Sequence, residues 1–339
     1  MNILLTAVGR RSYLVHYFKE VLGRNGQVHA ANSNLDSIAL QDADKAVITP
    51  LSFDDEYIPF LMEYCRKHHI RAIIPRLDID LPILSKRKKE FESIGVKVIV
   101  SNEEVIAVCN DKWATYQFLL KHGFHTPRTF LSIQDALEAV KCHELSFPIM
   151  IKPRWGAGSL GIFEADNQEE LYVLHQKTKK KIAENYIKVV SQQDPKRSVI
   201  IQEKLNGEEY GLDIINDLEG NFQSVSIKKK YEMRGGETDF AEIVEHKDLE
   251  ETGQKISRDL GHISIIDVDA FLVEGVPFVL EMNPRFGGGY PFSHIGGVDL
   301  PKAIISWLKG EQVAVSSLQA KPGVIGIKDM TTVRLKSCQ

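Results

Sequence analysis

Cysteine is scarce in this chain. Only four occur in 339 residues, at Cys65, Cys109, Cys142 and Cys338, and no two form a CxxC pair. That spacing argues against a zinc site and against a disulfide framework. No apolar run approaches the roughly 18 residues of a membrane-spanning helix, and the opening MNILLTAVGRR is too short for a signal sequence. An excess of basic charge is also missing. The net charge is -4, and the runs Lys86-Arg87-Lys88-Lys89, Lys179-Lys180-Lys181 and Lys228-Lys229-Lys230 are short and surrounded by acids. This leaves no footprint for nucleic acid. Absent too is any defensible Ser-His-Asp or Cys-His arrangement, so no protein nucleophile is indicated. A cytoplasmic protein acting on small molecules, with no nucleic-acid or membrane partner, is the expectation.

What remains is a globular composition, 43% hydrophobic and 26% charged, in a chain long enough for about two domains. The first hundred residues alternate strand and helix patterns. NILLTAV, VHAANS, KAVITP, AIIPRLD and KVIVS read as strands. SYLVHYFKEVLG, YIPFLMEYCRKHHI and LPILSKRKKEFESIG read as helices between them. Such βαβ units form parallel sheets that bind ligands at the strands' carboxyl ends. Those ends carry Thr6, Gly9 and Arg10, then Asn32 to Asn34, then Arg76, Asp78 and Asp80. The dinucleotide fingerprint is nevertheless missing. TAVGRR has one glycine where three are needed, and strand two ends in Asn-Ser-Asn rather than an acid.

From Asn110 onward the pattern changes. DKWATYQFLLKHG is a helix with Asp111 placed to cap it, HTPRTFLS is extended, and IQDALEAVKCHEL is again helical. FPIMIKP and GIFEAD read as strands around the turn RWGAGSL, and SVIIQEKL is a further strand. EYGLDIIND pairs with NFQSVSIKKKYEM, a helix covers LEETGQKISRDLG, and IIDVDAFLV with PFVLEMN makes a hairpin turned at Glu274-Gly275-Val276. VAVSS and GVIGIKD suggest short closing strands.

Two stretches carry chemistry. Gly156, Gly158 and Gly161 lie between two strands, which suits a flap whose backbone amides close over phosphates, and Lys152 lies on the incoming strand. The second stretch is FVLEMNPRFGGGY, residues 278–290. By strand alternation Glu281 and Asn283 share a face, with Leu280 and Met282 on the other, while Asp267 and Asp269 share a face of the neighbouring strand. An all-oxygen set of this kind suits Mg²⁺. Arg285 follows, placed to neutralise a phosphoryl group, and Gly287, Gly288 and Gly289 let the backbone pass close to substrate. In KKKYEMRGGETDF, Lys228, Arg234 and Glu237 are candidates for substrate contact, Arg234 for a carboxylate and Glu237 for an amine. His294 is a further candidate, with a structural role as the alternative.

In order and spacing, Lys112 after Asn-Asp, Lys152, the glycine flap, IIQEKLNGEEYGLDI, DVDAFL and LEMNPRFGGG resemble the ATP-grasp superfamily, in its carbamoyl-phosphate-synthetase-like and carboxylate–amine ligase branch. The resemblance runs from about residue 1 to residue 310. It implies mixed α/β and α+β architecture, with a Rossmann-like parallel α/β domain over 1–110 and a two-lobed ATP-grasp domain over 111–310. Within the latter, the flap-bearing lobe covers about 126–202 and the metal-binding lobe about 203–310. A closing segment occupies 311–339. It further implies ATP and Mg²⁺, with Mn²⁺ as a substitute, and is compatible with a homodimer.

The site residues follow from the same resemblance. Lys112 and Lys152 are implied to hold ATP phosphates under a flap of Gly156, Gly158, Ser159 and Gly161. Glu203, Lys204 and Leu205 are implied to form the adenine hinge, and Glu209, in preference to Glu208, to bind the ribose. Asp269, Glu281 and Asn283 are implied metal ligands, with Asp267 the alternative to Asp269. Arg285 and Lys152 are implied to be catalytic. Arg76, Asp78, Lys228, Arg234, Glu237 and Arg285 are the substrate candidates. The implied reaction makes an acyl phosphate from a carboxylate and ATP, which an amine then attacks, with an amino acid as one substrate. A carbamoyl-phosphate-forming or other phosphotransfer enzyme is the alternative, disfavoured because no amidotransferase segment, biotin-carrier motif or second synthetase half is visible. A non-catalytic nucleotide-binding protein is the third reading.

Overall fold

The computed structural model describes residues 1–156, 158–330 and 332–333; Cys338 lies outside them. The alternating patterns of the first hundred residues close into one sheet. In chain order the elements are β1 (Asn2–Thr6), α1 (Ser12–Leu22), β2 (Gln27–Asn32), α2 (Ala39–Asp42), β3 (Lys45–Ile48), α3 (Tyr57–Lys67), β4 (Ile70–Pro75), α4 (Asp80–Lys86), α5 (Lys88–Ser93) and β5 (Lys97–Val98). The strands are all parallel, in the order β3-β2-β1-β4-β5. Strand order therefore switches direction between β1 and β4, and the crevice beyond their carboxyl ends is where such sheets bind ligands. LPILSKRKKEFESIG is two helices, not one. The ladder breaks at Arg87 (φ -103°, ψ 9°), and the second helix turns Phe91 into the core.

The chain continues through α6 (Glu103–Asn110) and α7 (Lys112–Lys121). Asp111 caps α7 by accepting a hydrogen bond from the Trp113 amide at 3.0 Å, which fixes Lys112 at the first helical position. Next come β6 (Thr129–Phe130), α8 (Ile133–Lys141), β7 (Ile149–Pro153), β8 (Phe163–Ala165), α9 (Gln168–Ala183), α10 (Ile187–Ser191) and β9 (Val199–Glu203). Their strands form an antiparallel sheet in the order β6-β9-β7-β8.

The remainder supplies β10 (Glu208–Asn216), β11 (Phe222–Arg234), β12 (Glu237–Val244), α11 (Lys247–Leu260), β13 (Ile265–Val273), β14 (Val276–Asn283), α12 (Tyr290–Ile295), α13 (Leu300–Leu308) and β15 (Ile325–Ile327). These strands form a six-stranded antiparallel sheet, β14-β13-β10-β11-β12-β15. ETDFAEIV is thus a strand, one that the sequence pattern did not assign. VAVSS is no strand: Val315–Leu318 makes a single 3₁₀ turn on the way to β15.

Two cores hold these parts together. One joins Leu14 and Phe18 of α1 to Leu300, Ile304 and Ile305 of α13, with Phe286 and Tyr290 between them. At about 1.5–3 kcal/mol for each large side chain removed from water, this packing fixes the N-terminal sheet to the C-terminal part of the chain. The other core places Val268, Ala270, Val279 and Met282 of β13 and β14 under Leu249 and Ile256 of α11. Among the described residues no helix is long and apolar enough to cross a membrane.

Candidate active site

The carboxyl ends of β1 and β4, the loop between β7 and β8, and the open face of the six-stranded sheet meet around a cavity of about 480 Å³. That volume is within the range of small-molecule sites. A second cavity of about 460 Å³ lies beside it, and both reach Lys112, Glu281 and Asn283.

The oxygen-bearing face is built by register. β13 and β14 pair Asp269 with Glu281 and Asp267 with Asn283, so four polar side chains stand in two facing rows. All four line the cavity. Leu280 does not follow the alternation expected of it. The pairing passes from Asp269↔Glu281 directly to Ala270↔Val279, which leaves Leu280 in a bulge. Val279 and Met282 therefore both enter the core, and Leu280 joins Glu281 in lining the cavity.

Lysines balance these carboxylates. Lys230 Nζ lies 2.5 Å from Asp269 and 2.8 Å from Glu209, and Lys112 Nζ lies 3.0 Å from Glu281. Burial opposes the charge on Lys230, yet Asp269 and Glu209 outweigh it and raise its pKa. Lys152 is buried too. Burial, opposed by Glu281, brings its pKa down to about 8. Burial, followed by the neighbouring Asp269 and Asp213, lifts Asp267 to about 6. Lys228 is fully buried against Asp213 at 2.5 Å. Among the described residues no three His, Cys, Asp or Glu side chains are already gathered as a metal site. The donor set around Glu281 is all oxygen, with an amide at Asn283, and that chemistry fits Mg²⁺ rather than a soft metal.

The flap is the loop joining the antiparallel strands β7 and β8. Lys112 Nζ donates to the Gly156 carbonyl at 2.7 Å, and the flap tip abuts the β11–β12 turn. A Cβ built on Gly236 would lie 2.5 Å from Ser159 Oγ. Gly158, Ser159 and Gly156 line the cavity, whereas Gly161 sits behind the loop against Pro153.

At the opposite end stand the N-terminal domain's contributions. Asp78 receives both Nε and Nη2 of Arg285, at 3.0 and 3.1 Å, so the fork of Arg285 is occupied. Asp267 lies 3.7 Å away. These two acids raise the pKa of Arg285 against the opposing effect of burial, and the arginine in turn holds Asp78 below the usual carboxylate range. Asp80 does not face the cleft. It is fully buried, accepting from Thr6 at 2.8 Å, Tyr57 at 3.2 Å and Ser52, and burial raises its pKa. Arg76 and Glu237 both line the cavity, but Arg234 does not. Its exposed side chain turns to Asp239 at 2.6 Å, because the strand carries it past the cleft. His294 stacks on Tyr17 with ring centroids 3.6 Å apart, outside the cavity lining.

The three glycines after Arg285 approach protein side chains rather than open space. A Cβ on Gly287 would lie 2.2 Å from Asp267, one on Gly288 2.9 Å from Glu237, and one on Gly289 3.4 Å from Lys228. Asp267, Glu237 and Lys228 thus rest on bare backbone. The stretch Glu203, Lys204 and Leu205 runs out of the end of β9 and does not line either cavity. Glu203 accepts from the Arg128 amide at 3.0 Å, and Lys204 pairs with Glu164 at 2.7 Å. Glu209 faces the cavity, while Glu208 points away to Lys229 and Tyr210.

Sequence reasoning passed over Arg11 and Lys230. Lys230 was within reach, since strand alternation puts it on the same face as Lys228. Arg11 reaches Glu237 at 2.5 Å across 226 residues, and no local pattern reports such a pair.

A family model described as an ATP-grasp domain matches residues 109–289, and one described as a PylC-like N-terminal domain matches residues 3–99. The carbamoyl phosphate synthase large chain of Thermotoga sp. (strain RQ2) is 25% identical over 302 residues, which take in 80% of this chain and 26% of that one. The arginine-specific large chain of Halalkalibacterium halodurans is 22% identical over 324 residues, 90% of this chain and 28% of that one. The chain thus spans about a quarter of the length of these curated relatives. Among solved structures, the biotin carboxylase domain of Hydrogenobacter thermophilus 2-oxoglutarate carboxylase, solved with MgADP and bicarbonate, superposes with a TM-score of 0.71 at 18% identity, covering 94% of this chain and 72% of that one. The L-amino acid ligase of Bacillus licheniformis superposes at 0.67 and 18% identity, covering 91% and 74%. At these identities the likeness is one of fold.

Proposed function

The chain belongs to the ATP-grasp family, and from that premise we propose that it is an ATP-dependent ligase joining a carboxylate to an amine through an acyl phosphate, with an amino acid as one substrate. The observation that carries this reading is the opposition of Lys152, a buried cation, to the oxygen face of Asp269, Glu281 and Asn283 across one cavity. That arrangement suits a phosphate chain with its cations.

Direct attack of an amine on a carboxylate would have to expel an oxide, so the carboxylate oxygen first takes the terminal phosphoryl group of ATP. The amine lone pair then attacks the carbonyl carbon, phosphate leaves, and the nitrogen gives up a proton. Mg²⁺ would neutralise the charge on the transferring group. Lys152 and Lys112 hold the phosphates, while Asp269, Glu281 and Asn283 hold the metal. Loading requires Lys112 and Lys230 to leave their carboxylates for the nucleotide. The flap excludes water, which would otherwise hydrolyse the acyl phosphate. Catalysis here is chiefly positioning and charge neutralisation.

On the same reading residues 1–110 form the N-terminal domain, 111–310 the grasp and 311–339 a closing segment. The enzyme is cytoplasmic, and the dimer in which the Hydrogenobacter thermophilus biotin carboxylase domain was solved supports a homodimer. The name of the Bacillus licheniformis relative supports an amino-acid substrate. The test is a screen of amino acids and small carboxylates, alone and with amines, for Mg-dependent phosphate release from ATP. The expected product mass is acid plus amine less one water. Tight nucleotide binding with no phosphate release for any pair would replace this reading with a non-catalytic one.

A further inference from the structure

Nearly every cation around the cavity has its own carboxylate. Arg11 has Glu237, Lys112 has Glu281, Lys228 has Asp213, Lys230 has Asp269 and Glu209, and Arg285 has Asp78. Among the described residues lining it, two cations make no ion pair: Lys152 and Arg76. They belong to different poles. The charges acting on Lys152 are Glu281, Lys112 and Asp269, those of the oxygen face. Those acting on Arg76 include Arg11, Arg285, Tyr13 and Asp78, and Arg76 in turn acts on Asp80 and Glu237, all at the N-terminal end. Lys152 suits the phosphates of the proposed reaction; Arg76 has no assigned anion.

The structure holds Arg76 ready for one. It leaves β4 at the switch point of the parallel sheet, and its Nε donates to the Ala7 carbonyl at 3.1 Å. Ala7 itself has a left-handed backbone, φ 51°, in a turn where Ser37 Oγ donates to the Gly9 carbonyl at 2.5 Å. Strain of this kind in a non-glycine residue, at a ligand crevice, points to a positioning task. Both Nη groups of Arg76 are without a partner among the described residues. Beside it, Arg11 and Lys328 share the single carboxylate of Glu237, which leaves none of its oxygens for Arg76. Burial, then Arg11 and Arg285, lowers Arg76 to about 10, with Asp78 opposing them.

We propose that Arg76 is a specificity residue that grips, through its free Nη pair, a substrate carboxylate other than the one that reacts. The ligand class is an acid with a second carboxylate, either the α-carboxylate of an amino acid or the far end of a dicarboxylic acid. Glu237, resting on Gly288, is the neighbouring carboxylate for which an amino acid's ammonium would have to compete with Arg11 and Lys328. This rests on the ligase reading, from which it can be separated experimentally.

The experiment has two arms. In the first, Mg-dependent phosphate release is measured with the amino acids, succinate and glutarate, and with each responder blocked as the amide at its second carboxylate. We expect blocking to lower kcat/KM roughly 100-fold, the scale for losing one partner of a buried charge pair. Arg76→Ala should lose about as much on the free acid and discriminate poorly between free and blocked forms. Arg76→Lys should recover part of it, since it restores charge but not the fork. MgADP affinity should be unchanged in both variants. A preference for glutamate over glutarate that disappears in Glu237→Gln assigns the amino-acid source; equal use assigns the dicarboxylate. In the second arm, glutarate should raise the melting temperature of the unaltered protein but not of Arg76→Ala. If no compound elicits phosphate release, the ligase reading fails and the second arm still decides the site. Arg76→Ala that discriminates as well as the unaltered protein, or melting shifts that do not differ between the two, overturns the proposal.

Discussion

Lys112 Nζ stands 3.0 Å from Glu281 Oε1 and also donates to the Gly156 carbonyl at 2.7 Å, so one cation joins the oxygen-bearing strand to the flap. A phosphate chain entering with Mg²⁺ would compete for both partners at once. Glu281→Gln keeps shape and hydrogen bonding but removes the charge a metal needs. Turnover should fall at least about 100-fold, as when a single charge-stabilising group is removed from an active site. No core volume is lost, so folding should survive. Thermal unfolding and phosphate release measured on one preparation test this. Near-normal turnover across a magnesium titration would show that Glu281 binds no metal.

Lys152 gives a pH signature. Burial, opposed by Glu281, sets it at about 8 in the free protein, and nucleotide phosphates would favour its charged form. Below pH 8 it is already protonated, so affinity for ADP should be level there. Above pH 8 binding must recruit a proton, and affinity should fall by up to about tenfold per unit. Calorimetric titration of MgADP between about pH 7 and 9.5 reads this directly. Lys152→Arg, charged throughout, should flatten the curve, and an equal slope in both proteins would remove Lys152 from the phosphate site.

The Asp78–Arg285 pair ties the segment after β4 to the segment after β14, 207 residues apart. Both partners are largely buried, so Asp78→Asn leaves a buried guanidinium short of charge. The expected cost is about 3–5 kcal/mol in urea denaturation. The folded-state pKa of Asp78 is depressed, so its contribution is present above the unfolded value and lost as pH falls through the folded one. That part of the acid limb of stability should be missing from Asp78→Asn. A variant as stable as the parent would show that the pair does not hold the domains.

The parallel sheet, the flap hairpin and the 267–283 hairpin were legible because strand periodicity and glycine spacing are local signals. What escaped depended on partners. The bulge at Leu280 exists only relative to β13, so alternation alone sent that side chain to the wrong face. Asp80 looked like a cleft residue by its position after β4, and only the packing of Thr6, Ser52 and Tyr57 around it makes it structural. Arg234 looked like the carboxylate clamp, but β12 folds back and supplies Asp239 to hold it. The glycine run was read as an approach to substrate, whereas the groups that approach it in the structure are side chains on β11, β12 and β13.

The β11–β12 turn offers a comparison that separates strain from flap contact. Gly235 and Gly236 both adopt left-handed backbones, φ 58° and 79°, so an added side chain strains either one by about 1–2 kcal/mol. Their surroundings differ. A Cβ on Gly235 meets nothing within 4 Å, whereas one on Gly236 would lie 2.5 Å from Ser159 Oγ and 3.1 Å from the Gly158 carbonyl carbon. Ser159 Oγ can turn aside, but Ser159 Cβ and the Gly158 backbone, at 3.0 and 3.1 Å, must give by a few tenths of an ångström, which displaces the flap tip. Gly235→Ala and Gly236→Ala should therefore lose similar stability, while only Gly236→Ala should weaken MgADP binding, on the order of tenfold. Amide exchange in residues 154–162 should quicken in that variant alone. Two variants alike in both nucleotide affinity and exchange would mean that the flap tip does not depend on this turn, and closure over the nucleotide would then have to be assigned to contacts on the Lys112 side.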